Sequence, residues 1–300
     1  MRSNKKAIKE SPSRFIFLLF DVLMLIAVAF VCFIPIWHIM MGSISNPTNL
    51  NVEKGLIFYP LANLDFTPYR IILKYQKLWM AYRNTILYII SSCVLTGLLT
   101  TIAGYVFSRK RFHFRNAFML FISFTMLFNG GMIPTYIVIR KLGMVDTPFA
   151  LVIPGALTVF NIILMRTSME NVPQDLEEAA RIDGASDLTI LFKVILPLCK
   201  ATFAVIMLFT AVARWNDYFS ALLYLPTKSQ YYPLQMVLRE ILITTTSDIT
   251  NSQDLQNKST IYKKAIEYAC IVVSTLPILC IYPFVQKYFV TGMTIGAVKS

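Results

Sequence analysis

Glu178, Ala179, Ala180, Asp183, Gly184 and Ala185 fall within a short polar stretch that runs on to Val194-Ile195-Leu196-Pro197, between two apolar runs of the chain. What these side chains offer is electrostatic and steric rather than covalent: acids that can meet a cation, alanines that admit a close neighbour, and a glycine that can set an angle. A second group stands inside an apolar run and comprises Arg214, Trp215, Asn216, Asp217 and Tyr218. Its arginine and carboxylate are three apart and can pair on a helix. Asn216 can donate to and accept from hydroxyls, and Trp215 or Tyr218 can present a flat apolar face to a ring. An internal ion pair with interfacial aromatics, serving only to lock a helical bundle, explains the same residues equally well. There is no G-x-x-x-x-G-K-S/T phosphate loop, and His38 and His113 lie far apart in the expected topology, so no nucleotide site or His-based metal centre can be assembled.

Local rules say how the first group is held. Pro173 suits a first helical turn, and Asp175, Glu177 and Glu178 favour the positive end of a helix dipole, so a helix is expected from about 173 to 182. Gly184 supplies a left-handed conformation that closes it, and Ser186 can cap a second helix beginning at Asp187. Pro197 is expected to stop that second helix. The product is a compact helix, turn, helix.

Composition sets the environment. Hydrophobic residues make up 56% and charged residues 15% of the chain, against about 25% charged in soluble proteins. A spanning helix needs about 20 apolar residues, and six runs qualify as candidates: Phe15 to Met40, Thr85 to Ser108, Ala117 to Ile139, Phe149 to Met165, Ala201 to Leu225 and Tyr268 to Phe289. The expected fold is an all-α membrane protein of six transmembrane helices. The first run is too long for a signal peptide and reads as a retained anchor. Cys32, Cys93, Cys199, Cys270 and Cys280 lie in or beside spans without metal-like spacing and imply no disulfide.

Basic clusters orient these spans. Arg2, Lys5, Lys6, Lys9 and Arg14 precede the first, and Arg109, Lys110, Arg111 and Arg115 follow the second, which places both clusters in the cytoplasm. Both termini are then inside, and the polar loop between spans four and five is cytoplasmic. This divides the chain into a basic N-terminal segment (1–14), a transmembrane domain (15–289) containing the loop (about 166–200), and a cytoplasmic tail (290–300). The formal net charge of +12, spread over juxtamembrane loops, indicates contact with anionic lipid rather than nucleic acid.

Ionisable groups inside a membrane cost about 2.5 to 3.5 kcal/mol and are expected to face the bundle interior or a wet cavity. Thr210, Arg214, Asp217 and Ala221 would share one helical face, roughly 20 to 25 Å from the cytoplasmic side. Pro154, Thr158, Asn161 and Met165 would share another, with Asn161 either lining a pathway or bonding between helices. Asn129-Gly130-Gly131 with Pro134 reads as a helix interruption or as close helix packing. On the outer side, a helix from Thr67 to about Asn84 and the segment 226–267 supply most of the exposed area.

The stretch Glu178-Ala179-Ala180, Gly184 and the following Leu196-Pro197 resemble the cytoplasmic coupling loop of ABC importer permeases. Asn129 to Tyr136, Leu142 to Thr147, Trp215-Asn216-Asp217-Tyr218 and the ending Thr291 to Lys299 resemble carbohydrate-importer permeases of the maltose-transporter type. Within that group the chain is most similar to the branch for complex oligosaccharides and polysaccharides. The resemblance implies a permease subunit that is not itself an enzyme and binds no cofactor, with ATP and Mg on a partner ATPase. It also implies a second homologous permease, two ATP-binding subunits and an extracellular substrate-binding protein, in a bacterial cell membrane. In such a system Glu178 is the acid expected to contact the ATPase. Asn129, Asn161 and residues 214–218 are candidates for the substrate pathway. Import of another solute, such as a polyol phosphate or a peptide, a membrane enzyme using Arg214 and Asp217, and a non-transporting scaffold are the alternatives.

Overall fold

A first helix, α1 (Pro12–Ser43), carries Pro35 within it and exposes nearly every apolar side chain of its N-terminal two thirds. In water such a surface would be costly, whereas lipid tails solvate it as well as another helix would. The computed structural model describes residues 12–128, 130–243 and 261–280. Asn129, the basic residues Arg2 to Lys9, the polar loop 244–260, the end of the sixth apolar run and the 290–300 tail lie outside the described residues. Among the described residues, two helices, Ser13–Ser43 and Gln76–Ser108, are long and apolar enough to cross a membrane, or up to four spans if each of two bent pairs counts as one. The described residues contain helices and turns and no strand.

The chain divides into two units, the first comprising 1–72 with 245–273 and the second 73–244 with 274–300. In the first, α1 is followed by α2 (Pro47–Val52), capped by the Asn46 side chain. His38 accepts the Ile57 N–H through Nδ1 at 3.0 Å and meets the Tyr268 hydroxyl through Nε2 at 3.1 Å. Leu50, Ile57 and Ala265 form the small core beneath. The expected outer helix from Thr67 to Asn84 is instead two pieces. α3 (Thr67–Lys74) ends at Tyr75, whose extended backbone starts α4 (Gln76–Ser108), so the second span begins about nine residues earlier than its hydropathy suggests.

The second unit is organised around α4, which packs against α8 (Val159–Glu170) and α12 (Lys200–Trp215). At 33 residues it is about 50 Å long and overruns the hydrocarbon core at its ends. Small residues permit the contact: a Cβ on Gly104 would lie 2.8 Å from Met165 Cγ. Among the remaining elements are α5 (Arg115–Leu127), α6 (Met132–Lys141), α7 (Phe149–Val152), α9 (Gln174–Ile182), α10 (Asp187–Thr189), α11 (Leu196–Leu198), α13 (Phe219–Tyr224) and α14 (Leu234–Ile243).

Three expected spans are broken rather than straight. α5 and α6 meet at 114°, with Gly131 at φ +92 at their junction. The fourth run stops at Val152 and resumes at Val159, because Pro154 and Gly155 disfavour helix and Thr158, extended, caps α8 by accepting from the Asn161 N–H. Pro154 and Thr158 therefore do not share a helical face with Asn161. The fifth ends at Trp215 and restarts at Phe219, so Asp217 and Ala221 leave the helical face that carries Thr210 and Arg214.

Candidate functional site

The polar loop forms a knob whose root is apolar and whose edge is ionic. α9 begins at Gln174, with Pro173 at the N-cap in an extended conformation (ψ 133) rather than inside the first turn. Gly184, at φ +81, closes the helix in the left-handed region that only glycine enters without strain, and the Ala185 N–H returns to the Ala180 carbonyl at 3.0 Å. Ser186 then caps α10, its hydroxyl accepting from the Thr189 N–H.

The second helix does not stop at Pro197. Residues Ile190–Ile195 widen into a π-turn in which the Leu196 N–H reaches the Leu191 carbonyl. A proline ring collides with the carbonyl four residues back in a regular helix, and the wider turn before Pro197 relieves that crowding. The helix therefore continues through α11 and breaks at Cys199, where the axis turns by 85° into α12. The π-turn buries Ile190, Leu191 and Ile195 against Met165 and Met169 of α8, Tyr105 of α4 and Ile206 of α12.

Glu177, rather than its neighbour, is the acid that holds the knob in place. Its carboxylate pairs with Arg109 at 2.7 Å and Arg181 at 2.8 Å, and accepts the Tyr105 hydroxyl at 3.2 Å. Arg109 also donates to the Met169 carbonyl at 3.2 Å and lies 5.0 Å above the Tyr105 ring. Arg181 continues to Asp187 at 2.8 Å, and its hydrogen bond to Glu177 raises its already high pKa further. Side chains of Arg109 and Glu177 are only 11% and 10% exposed. A single buried carboxylate thus ties α4, α8, α9 and α10 together. Position 177 looked in the sequence like a helix-dipole acid; the available signal was Tyr105 and Arg109, four apart at the end of α4 and so on one face.

Glu178, Ala179, Asp183 and Gly184 are exposed on the knob, Ala180 and Ala185 are half-buried, and Leu196 and Pro197 lie beyond the π-turn. Beside them stand apolar side chains with no cover: Ile182 is 87% exposed and Leu188 65%.

The second sequence-marked group is brought together only in part. Arg214 and Asp217 pair at 2.9 Å, but across the break between α12 and α13, and Asp217 also accepts the Ser220 N–H at 3.0 Å, capping α13. The Arg214 guanidinium fills the space that a Cβ on Gly155 would occupy, so it plugs the gap between α7 and α8 as well. Trp215 is buried with its ring 6.3 Å from that of Tyr82, and its indole N–H has no partner. Asn216 is exposed and donates to the Val212 carbonyl, while Tyr218 is 43% exposed with the Arg239 guanidinium 5.9 Å from its ring centre. Asn161 is buried in the first turn of α8; Asn129 lies outside the described residues.

A bracket that sequence reasoning quoted without a role closes the far end of this unit. Asp146, at φ +61, accepts from the Thr227 N–H at 3.0 Å, the Thr227 hydroxyl at 2.9 Å and the Lys228 N–H at 3.2 Å, while its own N–H reaches the Tyr224 carbonyl. These bonds, led by that from the Thr227 N–H, lower its pKa below the ordinary carboxylate value. No group of three or more His, Cys, Asp or Glu among the described residues could hold a metal ion.

Broken apolar helices around a long central one, with a buttressed knob between α8 and α12, are the architecture of an integral-membrane protein. The chain belongs to the family of binding-protein-dependent transport system inner membrane components, whose model matches residues 94–295. It is 35% identical over 94% of its length, and 98% of the relative's, to the polygalacturonan/rhamnogalacturonan transport system permease protein YtcP of Bacillus subtilis (strain 168). It is 36% identical to protein LplC of the same organism, covering 93% of each. The crystal structure of a bacterial ABC transporter involved in the import of the acidic polysaccharide alginate contains a similar chain. The match has a TM-score of 0.84 and 35% identity, over 94% of this chain and 100% of that one.

Proposed function

We propose that this chain is one of two permease subunits of an ABC importer for oligosaccharides derived from acidic polysaccharides, driven through the knob by a separate ATPase. One observation carries the mechanical part: a knob rigidly tied to α4, α8 and α12 at its root exposes Ile182 and Leu188 at its outer edge, an apolar surface awaiting a protein partner. The substrate class rests on the relatives, whose names specify polygalacturonan, rhamnogalacturonan and alginate.

In this reading the chain has six spans, with both termini, the knob and the Arg109 loop in the cytoplasm. Two ATP-binding subunits carry ATP and Mg, a second permease completes the pathway, and an extracellular binding protein delivers the sugar. Glu178, with the small residues Ala179, Ala180, Gly184 and Ala185, meets the ATPase closely, while Glu177 keeps the knob from yielding. When the ATPase closes, the knob moves as a rigid body and carries α4, α8 and α12 from an inward-facing to an outward-facing arrangement. Asn216 and Tyr218 offer a hydrogen-bonding amide and a ring face to a sugar, and the Arg214–Asp217 pair fixes the broken backbone that presents them. Co-expression of this chain with its permease partner, ATPase and binding protein in proteoliposomes tests the proposal. ATP-driven uptake of galacturonate oligomers is expected; full activity of the solitary chain, or uptake of a polyol phosphate or peptide in their place, would overturn it.

A further inference from the structure

We propose that a cleft between the end of α4 and the flank of α9 binds a phosphate-bearing anion, supplied by a phospholipid headgroup. The cleft has a volume of about 220 Å³ and is lined by four cations, Arg109, Lys110, Arg111 and Arg181, against two carboxylates, Glu177 and Glu178, with Gln174 at its edge. Arg109 and Arg181 are committed to Glu177. Among the described residues Lys110 and Arg111 make no ion pair, and both are exposed. The concave wall therefore presents two uncommitted cations and an amide donor, the donor set that a phosphate oxygen cluster accepts.

Position selects the source. Lys110 and Arg111 stand two and three residues beyond Ser108, the end of a helix long and apolar enough to span a membrane, and basic side chains just past a span end are within reach of anionic headgroups. A ladder of rings stands beside it: Phe107 and Phe112 at 6.1 Å, Phe112 and Phe118 stacked at 5.7 Å, and Phe114, 68% exposed, with no cover among the described residues. Exposed phenylalanines at a span end add apolar area that the headgroup–acyl boundary can accept beside a basic pair. The knob's apolar tip, Ile182 and Leu188, contributes nothing to the cleft lining, whereas Glu178 lines one side of it, so an ATPase on the knob would border the cleft along that side and leave the Lys110 and Arg111 side to a headgroup. An anion there also sits against the Arg109–Glu177 tie and would respond to lipid charge. This inference shares the membrane placement of the proposed function but does not depend on what the transporter carries.

The test uses the full chain in its assembled complex, in nanodiscs of phosphatidylcholine containing a minor fraction of phosphatidylglycerol, with bound lipid counted by native mass spectrometry. The natural protein is expected to retain phosphatidylglycerol selectively, and the double variant Lys110→Ala, Arg111→Ala to retain it on the order of tenfold less. The exchanged pair Lys110→Arg, Arg111→Lys should retain it as before, which separates charge from folding. Millimolar inorganic phosphate should leave retention unchanged; competition by phosphate would keep the site but assign it to the free ion. Equal retention by the natural protein and the alanine variant would overturn the proposal. So would loss of the ATP-binding subunit from that variant with lipid unchanged, since the basic pair would then belong to the protein interface. Lipid retention is read independently of uptake, so failure of the importer reading would leave this result standing.

Discussion

Arg109–Glu177 and Arg214–Asp217 are the two most buried arginine–carboxylate pairs among the described residues, and they do opposite work. Arg109 and Glu177 are 68 positions apart and join the end of α4 to α9, with Tyr105, Arg181, Asp187 and the Met169 carbonyl in the same network. Arg214 and Asp217 are three apart and join two ends of one interrupted span, with Gly155 against the guanidinium and the Ser220 N–H on the carboxylate. The first is a strut between elements; the second is a local splint. A strut transmits displacement from one element to another, whereas a splint preserves the shape of the backbone it bridges. Each carboxylate has a second donor besides its arginine, Tyr105 and Arg181 on Glu177 and the Ser220 N–H on Asp217, which helps to make a buried charge tolerable, although the buried Arg109 Nε has no partner.

Removing one partner from the strut should have the largest effect. Glu177→Ala leaves Arg109 and Arg181 facing each other without their shared carboxylate, and breaking a buried pair in this way costs on the order of 3 kcal/mol. Thermal unfolding of the solubilised complex should show a marked fall for this variant and little change for Glu178→Ala, whose carboxylate is exposed. The contrast collapses if the two variants unfold alike.

Gly184→Pro should come next. Proline cannot adopt φ +81, and a backbone forced from its native region costs roughly 1 to 3 kcal/mol. The expected outcome is a chain that still inserts in the membrane and hydrolyses ATP with its partners but no longer couples hydrolysis to uptake. Normal uptake by this variant would remove the knob from the mechanism.

At the splint, Gly155→Ala places a methyl where the Arg214 guanidinium lies, an overpacking that costs about 1 to 3 kcal/mol. Its predicted signature is lowered thermal stability with the ATPase still bound. Asn216→Ala, by contrast, should reduce uptake without altering assembly or basal ATP hydrolysis, because its amide is exposed.

The knob was legible in the sequence because its signals are local. An N-terminal proline and acids, a glycine in the left-handed region and a capping serine each act within a few residues, and each stands where those rules put it, α9 differing by one residue. The strut was not legible, since nothing about Glu177 distinguishes it from Glu178 until α4 delivers Arg109 and Tyr105 to one side of the helix. The broken spans were hidden for another reason. Hydropathy counts apolar residues but does not register that Thr158 caps α8 or that Asn216 to Tyr218 interrupt helix, so apolar runs looked continuous where the backbone is not. Pro197 shows the converse case: a breaker by rule is absorbed by the π-turn ahead of it.

The smallest expected effect concerns the Asp146 bracket, which shares with the splint the task of holding loop ends. Its folded pKa lies below its unfolded one, so its contribution is full above the ordinary carboxylate range and fades as pH falls through the folded value. Asp146→Asn should flatten that acid-side loss in a thermal-stability profile while leaving the neutral-pH assembly intact.

A photo-reactive side chain placed at Ile182 in the assembled transporter tests the central claim most directly. Ile182 is 87% exposed at the knob's edge and is expected to cross-link to the ATP-binding subunit, with a yield that changes between nucleotide-free and ATP-bound states. A complex that takes up substrate yet gives no such cross-link in either state would contradict the assignment of the knob as the joint between ATP hydrolysis and transport.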